Sequence, residues 1–318
     1  MINRTLVRTK VVQTLFAYYK DEDKTPLTAR KELLNSFSCT YNLYMMMLAF
    51  ADELVTYAEE QIAENKQRAN VTHQEYVPNY RFVQNRVARD LFNNRRLRTY
   101  MQDNHLHWNI GISGVIAIYK ELLQTPYYQE YMKLEAPTYE DDKMLWRKIY
   151  GQLLIDNEHL HAVLEEMEVV LDQQGWTTDI DQILTYVVKT IKQFKEENED
   201  CQPLLEMFAS EGELTFAKEL LRFTIENAEQ YRTLIGNSLK NWDAERVAYM
   251  DQIILLTAIS EIVNFNDIAL EVSMNEYIEL AKEYSSDKSY QFINGVLNNV
   301  VRELNQNNEL FKIIKKQN

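Results

Sequence analysis

Glycine and proline are scarce in this 318-residue chain, and this scarcity limits its possible folds more than any other feature. The sequence contains seven glycines and five prolines, about a third of what average usage would give. These two residues form turns and end helices, and no runs of alternating β-branched residues indicate strands. The sequence therefore predicts an all-α protein with long helices and short loops, large enough for about two domains.

Charge and cysteine content narrow the class of protein further. The net charge of −14 opposes nucleic-acid binding unless cations are concentrated locally. Residues 1–20 carry four basic residues and no acidic one, and residues 80–100 carry six arginines against one aspartate. Two widely separated cysteines fit neither a disulfide framework nor a metal cluster and indicate a reducing cytoplasm. No apolar run approaches the roughly 20 residues that span a bilayer, so we expect no membrane association.

Apolar periodicity and turn residues predict the order of the helices. Ser273 to Glu276 has the form of a capping box, and the stretch 285–287 can cap the last helix. The polar, acidic stretch 193–203 is the best candidate for a domain boundary. The predicted helices cover 3–20, 28–68, the basic stretch up to 100, 115–124, 139–172, 178–195, 213–240, 244–264, 274–284 and 287–305.

Near the C-terminus, residues 275–282 read NEYIELAK, and residues 287–297 read DKSYQFINGVL. These two motifs resemble the closing signature of the NusB family. They match the family's Asn-Glu-x-x-Glu-Leu-Ala-Lys helix, its short Ser-rich turn and its Phe-x-Asn-Gly-Val-Leu segment. Residues 216–239 and 251–261 are similar to the two preceding family helices, and residues 8–16 are similar to the first helix.

The resemblance implies how the chain is organised. Residues 1–20 would be the first helix of a NusB-like core, residues 205–306 the rest of that core, and residues 307–318 a basic tail. Residues 21–204 would then be a helical insertion domain, as in an enlarged, Bacteroidetes-like form of the family. The implied fold is all-α, with two small packed helical bundles and an additional helical insertion domain.

The function implied by the resemblance is binding and not catalysis. The chain would be a cytoplasmic transcription antitermination factor without cofactor or metal. It would bind the boxA-type element of the ribosomal RNA leader together with NusE, a small-subunit ribosomal protein, within the RNA polymerase antitermination complex. The alternative is a NusB-fold protein-interaction scaffold that has lost specific RNA binding and uses the insertion as its working surface.

Particular residues follow from the same resemblance. The expected RNA-binding residues are Arg4, Arg8, Lys10, Lys288, Gln291 and Phe292. Arg4 and Arg8 share one helix face, and a helix N-terminus disfavours cations, so ligand binding explains them better than helix stability. Phe292 is either a core aromatic or a base-stacking platform. Tyr18 and Glu261 are the expected NusE contacts, and we expect Glu261 to be replaceable without loss of folding.

Three further features leave alternatives open. The arginines within 81–98 form a solvated face, pair with the acidic helix at 158–172, or contact RNA. Gly295, inside a predicted helix, costs about 1 kcal/mol relative to alanine, so we expect another backbone to approach it closely. Glu158-x-x-His161 has the spacing of a di-iron ligand pair, but such a site needs a second copy, so we expect no metal there.

Overall fold

The fold is helical throughout the part of the chain that the computed structural model describes, which is residues 1–72, 75–239 and 247–310. Within these ranges no strand forms, and Ile2 and Phe208 share a single parallel β-bridge. The all-α prediction is confirmed. The α-helices are α1 (Arg4–Lys20), α2 (Pro26–Thr72), α3 (Arg86–Asn93), α4 (Arg95–Asp103), α5 (Ile112–Gln124), α6 (Pro126–Tyr131), α7 (Tyr139–Lys148), α8 (Glu158–Val170), α9 (Trp176–Gln193), α10 (Gly212–Glu226), α11 (Ala228–Ser238), α12 (Tyr249–Asn264), α13 (Leu270–Tyr284) and α14 (Ser289–Gln306).

The helices form two compact units. Unit 1 holds Met1 and Ser38–Met207, and unit 2 holds Ile2–Phe37 together with the described residues from Phe208 onward. The expected insertion, 21–204, ends three residues before unit 1 does. At its other end the two divisions differ, because the first twelve residues of α2 belong to unit 2.

The middle of α2 is the spine of unit 1. Every residue from 39 to 48 is buried. Backbone carbonyls along this stretch accept hydrogen bonds from aromatic side chains: Cys39 from Trp176 at 2.8 Å and Met46 from Trp108 at 2.9 Å. Large rings are thereby buried with their polar atoms satisfied, which is the condition under which tryptophan stabilises a core.

α12 lies at the centre of unit 2. Every residue from 253 to 262 is buried, and α12 packs against α1, α10, α11, α13 and α14. Its sequence is apolar on all sides, as expected for a helix that is surrounded by others. α1 runs antiparallel to it, because Arg8 contacts Glu261 near the C-terminal end of α12 and Phe16 contacts Tyr249 at its start.

The predicted helix caps in unit 2 are wrong. α13 begins at Leu270, so Ser273 lies inside it and donates its hydroxyl to Glu261 at 2.7 Å. α14 begins at Ser289 without a side-chain cap, and the hydroxyls of Ser285 and Ser289 donate to Asp251. Serine has one hydroxyl proton to donate, and here it serves contacts between helices.

Two further predictions need comment. The helix predicted over 213–240 is divided at Asn227, whose side chain donates to the carbonyl of Phe223 and so competes with the helical bonds. The residues 240–246, where that helix and the next were predicted to end and begin, lie outside the described residues. So do residues 311–318, which include most of the predicted basic tail.

Asn94 provides a test of the packing of unit 1. Its side chain is buried, caps α4 by accepting from the Leu97 N–H at 3.1 Å, and donates to the Gln202 carbonyl at 2.9 Å. Asn94→Ala removes the cap and leaves a buried carbonyl unpaired, so we expect a loss of about 1–2 kcal/mol in the free energy of unfolding. Urea denaturation followed by tryptophan fluorescence measures this loss. The exposed neighbour, Asn93→Ala, should change it by less than about 0.5 kcal/mol; equal losses would contradict the assignment.

Candidate RNA and partner surfaces

Arg8 and Glu261, one expected at an RNA surface and the other at a partner surface, form a buried ion pair. The side chain of Arg8 is 2% exposed and that of Glu261 is 0% exposed. The guanidinium is bidentate: Nε lies 2.7 Å from one carboxylate oxygen and Nη2 lies 2.9 Å from the other. Arg8 therefore has an acidic partner within the chain, although its own helix carries no acidic residue.

Additional groups complete this pair into a hydrogen-bonded hub. Each oxygen of Glu261 accepts one further bond, from Ser273 at 2.7 Å and from the Tyr277 hydroxyl at 3.0 Å. Glu276 approaches the third nitrogen of Arg8 at 3.2 Å. Burial alone would lower the pKa of Arg8, but the hydrogen bond and charge of Glu261 outweigh it and raise the pKa. Burial and the charge of Glu261 also raise the pKa of Tyr277.

The other two expected cations of α1 have different surroundings. Lys10 is buried, with 3% of its surface exposed. The side chain of Arg4 is 39% exposed, lies over the ring of Phe216, and approaches the acidic residues Asp267 at 3.5 Å and Glu213 at 3.8 Å. Of these three cations, Arg4 is the one with a substantially exposed side chain, and two acidic side chains lie beside it.

The start of α14 presents the remaining candidates. Lys288 and Gln291 are exposed, and Phe292 is half-buried. A Cβ at Gly295 would meet no atom within 4 Å, so the described residues bring no backbone close to it. Among the described residues, the expected close approach to Gly295 is not made. Lys288, Gln291 and Gly295 follow a spacing of three and four residues and form one open stripe along α14.

The RNA-binding candidates do not form one cluster. Arg4 contacts Asp267, just beyond the C-terminal end of α12. Lys288 precedes Ser289, which bonds to Asp251 at the start of α12. At 1.5 Å per residue, α12 separates these two positions by roughly 20 Å. A ligand that contacted both would have to extend along the helix.

Sequence reasoning missed an aromatic and cationic cluster where α1 ends. Tyr18 packs edge-on against Tyr19 at 4.9 Å between ring centroids. Lys20 lies over the ring of Phe16, and Arg232 lies over that of Tyr19. Burial raises the pKa of Tyr19 to about 12. The run Phe-Ala-Tyr-Tyr-Lys at 16–20 was the available signal, but only the fold brings Tyr249 and Arg232 to it.

The arginines of unit 1 are partly used within the unit. Arg86 bonds to Asp142 at 2.7 Å and to Glu196 at 2.6 Å, and Arg96 bonds to Glu206 at 2.7 Å. These partners lie outside the helix at 158–172, so Arg86 and Arg96 do not pair with that helix. The arginines at positions 89, 95 and 98 remain exposed.

Residues 1–72, 75–239 and 247–310 contain no group of three or more His, Cys, Asp or Glu side chains placed to hold a metal ion. Within the same ranges, none of the helices has the length and apolarity that crossing a membrane requires.

The described residues form an all-α protein with exposed cationic and aromatic side chains. Comparison with known proteins gives its family. The sequence profile described as "NusB family" matches residues 180–302. Curated relatives carry the name "Transcription antitermination protein NusB". The chain is 39% identical to that of Bacillus licheniformis over 109 residues, which is 34% of this chain and 82% of the relative.

Other relatives show the same pattern. Identity to the protein of Bacillus subtilis is 40% over 91 residues, covering 29% of this chain and 70% of the relative. Identity to that of Finegoldia magna is 37% over 93 residues, covering 29% of this chain and 68% of the relative. No solved structure matches the chain at a significant level. The chain belongs to the NusB family and is larger than these relatives, as the sequence predicted.

The buried hub predicts that replacing Glu261 destabilises the protein, whereas the sequence predicted that Glu261 could be replaced without loss of folding. Glu261→Ala leaves the Arg8 guanidinium buried without its bidentate partner, so we expect a loss of about 3–5 kcal/mol in stability. Glu279→Ala, in which an exposed carboxylate paired with Lys282 is removed from α13, should cost less than about 1 kcal/mol. Thermal unfolding followed by circular dichroism measures both. A Glu261→Ala protein as stable as the control would mean that the hub does not stabilise unit 2.

Proposed function

We propose that this chain is a cytoplasmic transcription antitermination factor that binds boxA-type RNA together with NusE. Its membership in a family whose curated members carry the name of transcription antitermination proteins is the observation that supports this most directly. The matched segment contains α12, α13 and α14 up to residue 302, and so includes Lys288, Gln291 and Phe292. The proposed role is non-catalytic and requires no cofactor.

The RNA contact is proposed for the start of α14. Lys288 is exposed and has no ion pair with any residue in the described ranges, so its charge can neutralise a phosphate. Gln291 offers an amide that can bond to a base edge, and the half-exposed ring of Phe292 offers a stacking surface. The open backbone at Gly295 leaves room for a strand to lie close to the helix.

Tyr18 stays in the proposal as the contact for NusE. It is partly exposed and belongs to the aromatic and cationic cluster at the end of α1. Glu261 and Arg8 leave the proposed surfaces because they bond to each other in the interior. Lys10 is not part of the proposed RNA surface because it is buried, and Arg4 remains as a secondary phosphate contact.

One observation favours the alternative, a NusB-fold scaffold without specific RNA binding. Two of the three expected α1 cations are buried, and the third lies beside two carboxylates. This leaves α1 with little free positive charge for phosphates. Under the alternative, NusE or another protein would still bind, and RNA would bind no better than to an unrelated acidic protein.

The experiment is binding of boxA RNA and of a scrambled RNA to the full-length chain, with and without NusE, at several salt concentrations. We expect boxA to be preferred. Lys288→Ala should flatten the log–log salt dependence by about 0.7, since one phosphate contact is lost. Phe292→Ala should cost on the order of 1–3 kcal/mol through lost stacking and leave the slope nearly unchanged.

The control for Lys288→Ala is Lys31→Ala, which removes an exposed lysine from α2 in the same unit. It should alter neither slope nor affinity. Native helicity is verified for each variant by circular dichroism. Equal binding of boxA and scrambled RNA by the wild type, with NusE present, would reject the antitermination proposal and leave the scaffold.

A further inference from the structure

A cleft of about 350 Å³ opens on the surface of unit 1 between α2, the end of α3, α4 and the segment that follows α4. Its floor is apolar and closed. Phe92, at 49% exposure, forms part of its rim, and the remaining rim residues are Arg98, Gln102 and His107. The buried residues of the floor are Leu48, Leu91, Leu97, Leu106 and Trp108. The cleft has the volume and the mixed apolar and polar lining of a site for a small, partly apolar group.

Two adjacent carboxylates line one wall of this cleft. Asp52 and Glu53 are half-buried, and neither accepts a hydrogen bond from the described residues of the chain. Burial raises the pKa of Asp52, with the charge of Arg98 opposing it. Burial and the charges of Asp52 and Glu60 raise the pKa of Glu53. A carboxylate that has lost water without gaining a donor is destabilising, so a ligand with N–H donors would be favoured here.

The rim carries the opposite charge. Arg89, Arg95 and Arg98 are exposed, and the guanidinium of Arg98 lies 5.6 Å from the ring centroid of Phe92. Arg89 is 3.5 Å from Asp90, and the acidic segment Glu196–Cys201 packs against α3. The local field is therefore not strongly positive. Arg98 at the rim, with Arg89 and Arg95 exposed on the same two helices outside the cleft, still opposes a basic peptide and can bind a phosphate of a nucleic acid.

We propose that this cleft binds one unstacked guanine base of a single-stranded RNA. The base enters the cleft beside Phe92, and the carboxylates of Asp52 and Glu53 accept hydrogen bonds from its N1–H and N2–H₂ groups. The rim arginine Arg98 contacts the flanking phosphate. The proposal rests on the proposed RNA-binding function and gives the insertion a part in it.

Guanine is selected by the chemistry of its edge. Among the four bases it alone presents two adjacent N–H donors on its Watson–Crick edge. Adenine and cytosine present one amino group beside a ring acceptor, and uracil presents one N–H between two carbonyls. Ionised carboxylates have only acceptors to offer, so a ring acceptor or carbonyl placed against them is repelled. Single-stranded RNA is recognised in this way, by stacking a splayed base on an aromatic side chain and bonding its edge.

The test is binding of fluorescein-labelled octanucleotides to the full-length chain by fluorescence anisotropy. One is all uridine, and the others carry a single guanosine or a single adenosine in the middle. We expect the guanosine octamer to bind at least about tenfold more tightly than the other two. Asp52→Asn/Glu53→Gln should abolish that preference, and Phe92→Ala should weaken the guanosine octamer about tenfold through lost stacking.

Matched controls lie on the same unit. Glu59→Gln changes an exposed carboxylate of α2 outside the cleft, and Tyr80→Ala removes an aromatic ring of 39% exposure. Both should bind the guanosine octamer as the wild type does. Lys288→Ala, in unit 2, should also keep the guanosine preference, although it should weaken boxA binding under the proposed function.

Three outcomes would overturn the inference. Equal binding of the three octamers would remove the guanine site, as would cleft variants that behave like their controls. If the guanosine octamer bound to unit 2 alone and a lysine-rich peptide occupied the cleft, the cleft would be a peptide site. A guanosine preference that persists in a protein with no boxA preference would instead refute the proposed function and leave the cleft assignment standing.

Discussion

The bidentate pair between Arg8 and Glu261 is the interaction on which the arrangement of unit 2 depends. The two residues are 253 positions apart in sequence, and their contact joins α1 to the helix at the centre of the unit. Neither charge is tolerable alone in the interior, because an unpaired buried ion costs several kcal/mol. Ser273 and Tyr277 of α13 donate hydrogen bonds to the two oxygens of the same carboxylate, so Glu261 also fixes the register of α13.

This hub explains how unit 2 is assembled from distant parts of the chain. In the sequence, residues 38–207 of unit 1 lie between α1 and the helices α10 to α14, to which the ion pair and the β-bridge between Ile2 and Phe208 connect the N-terminal segment. An apolar face alone would allow α1 to slide by a turn against α12. A bidentate guanidinium and carboxylate accept one geometry, which sets that position.

Helix content and family could be predicted from the sequence, because both are local signals: few glycines and prolines, apolar periodicity, and two contiguous motifs. The individual site residues could not. Arg8 and Lys10 sit on an acid-free helix, and nothing near them in sequence indicates an acidic partner contributed by α12. Ser273 failed as a cap for the same reason, since its hydroxyl serves a carboxylate on another helix. Lys288 and Gln291 are exposed at the start of α14, and their part in RNA binding stays a prediction.

The distribution of charge determines what kind of RNA recognition is open to the chain. The net charge of −14 opposes a phosphate backbone, and Arg8, Arg86 and Arg96 are held in ion pairs within the chain, so fewer cations are free to displace counterions from it. Affinity from counterion release scales with the number of phosphates neutralised, so it is small here. Under the proposed function, stacking and base-edge bonds must supply most of the affinity, and a protein partner must supply the rest. Binding that depends on base edges and on a protein partner is weak for most cellular RNA. Recognition of a single leader element requires this selectivity.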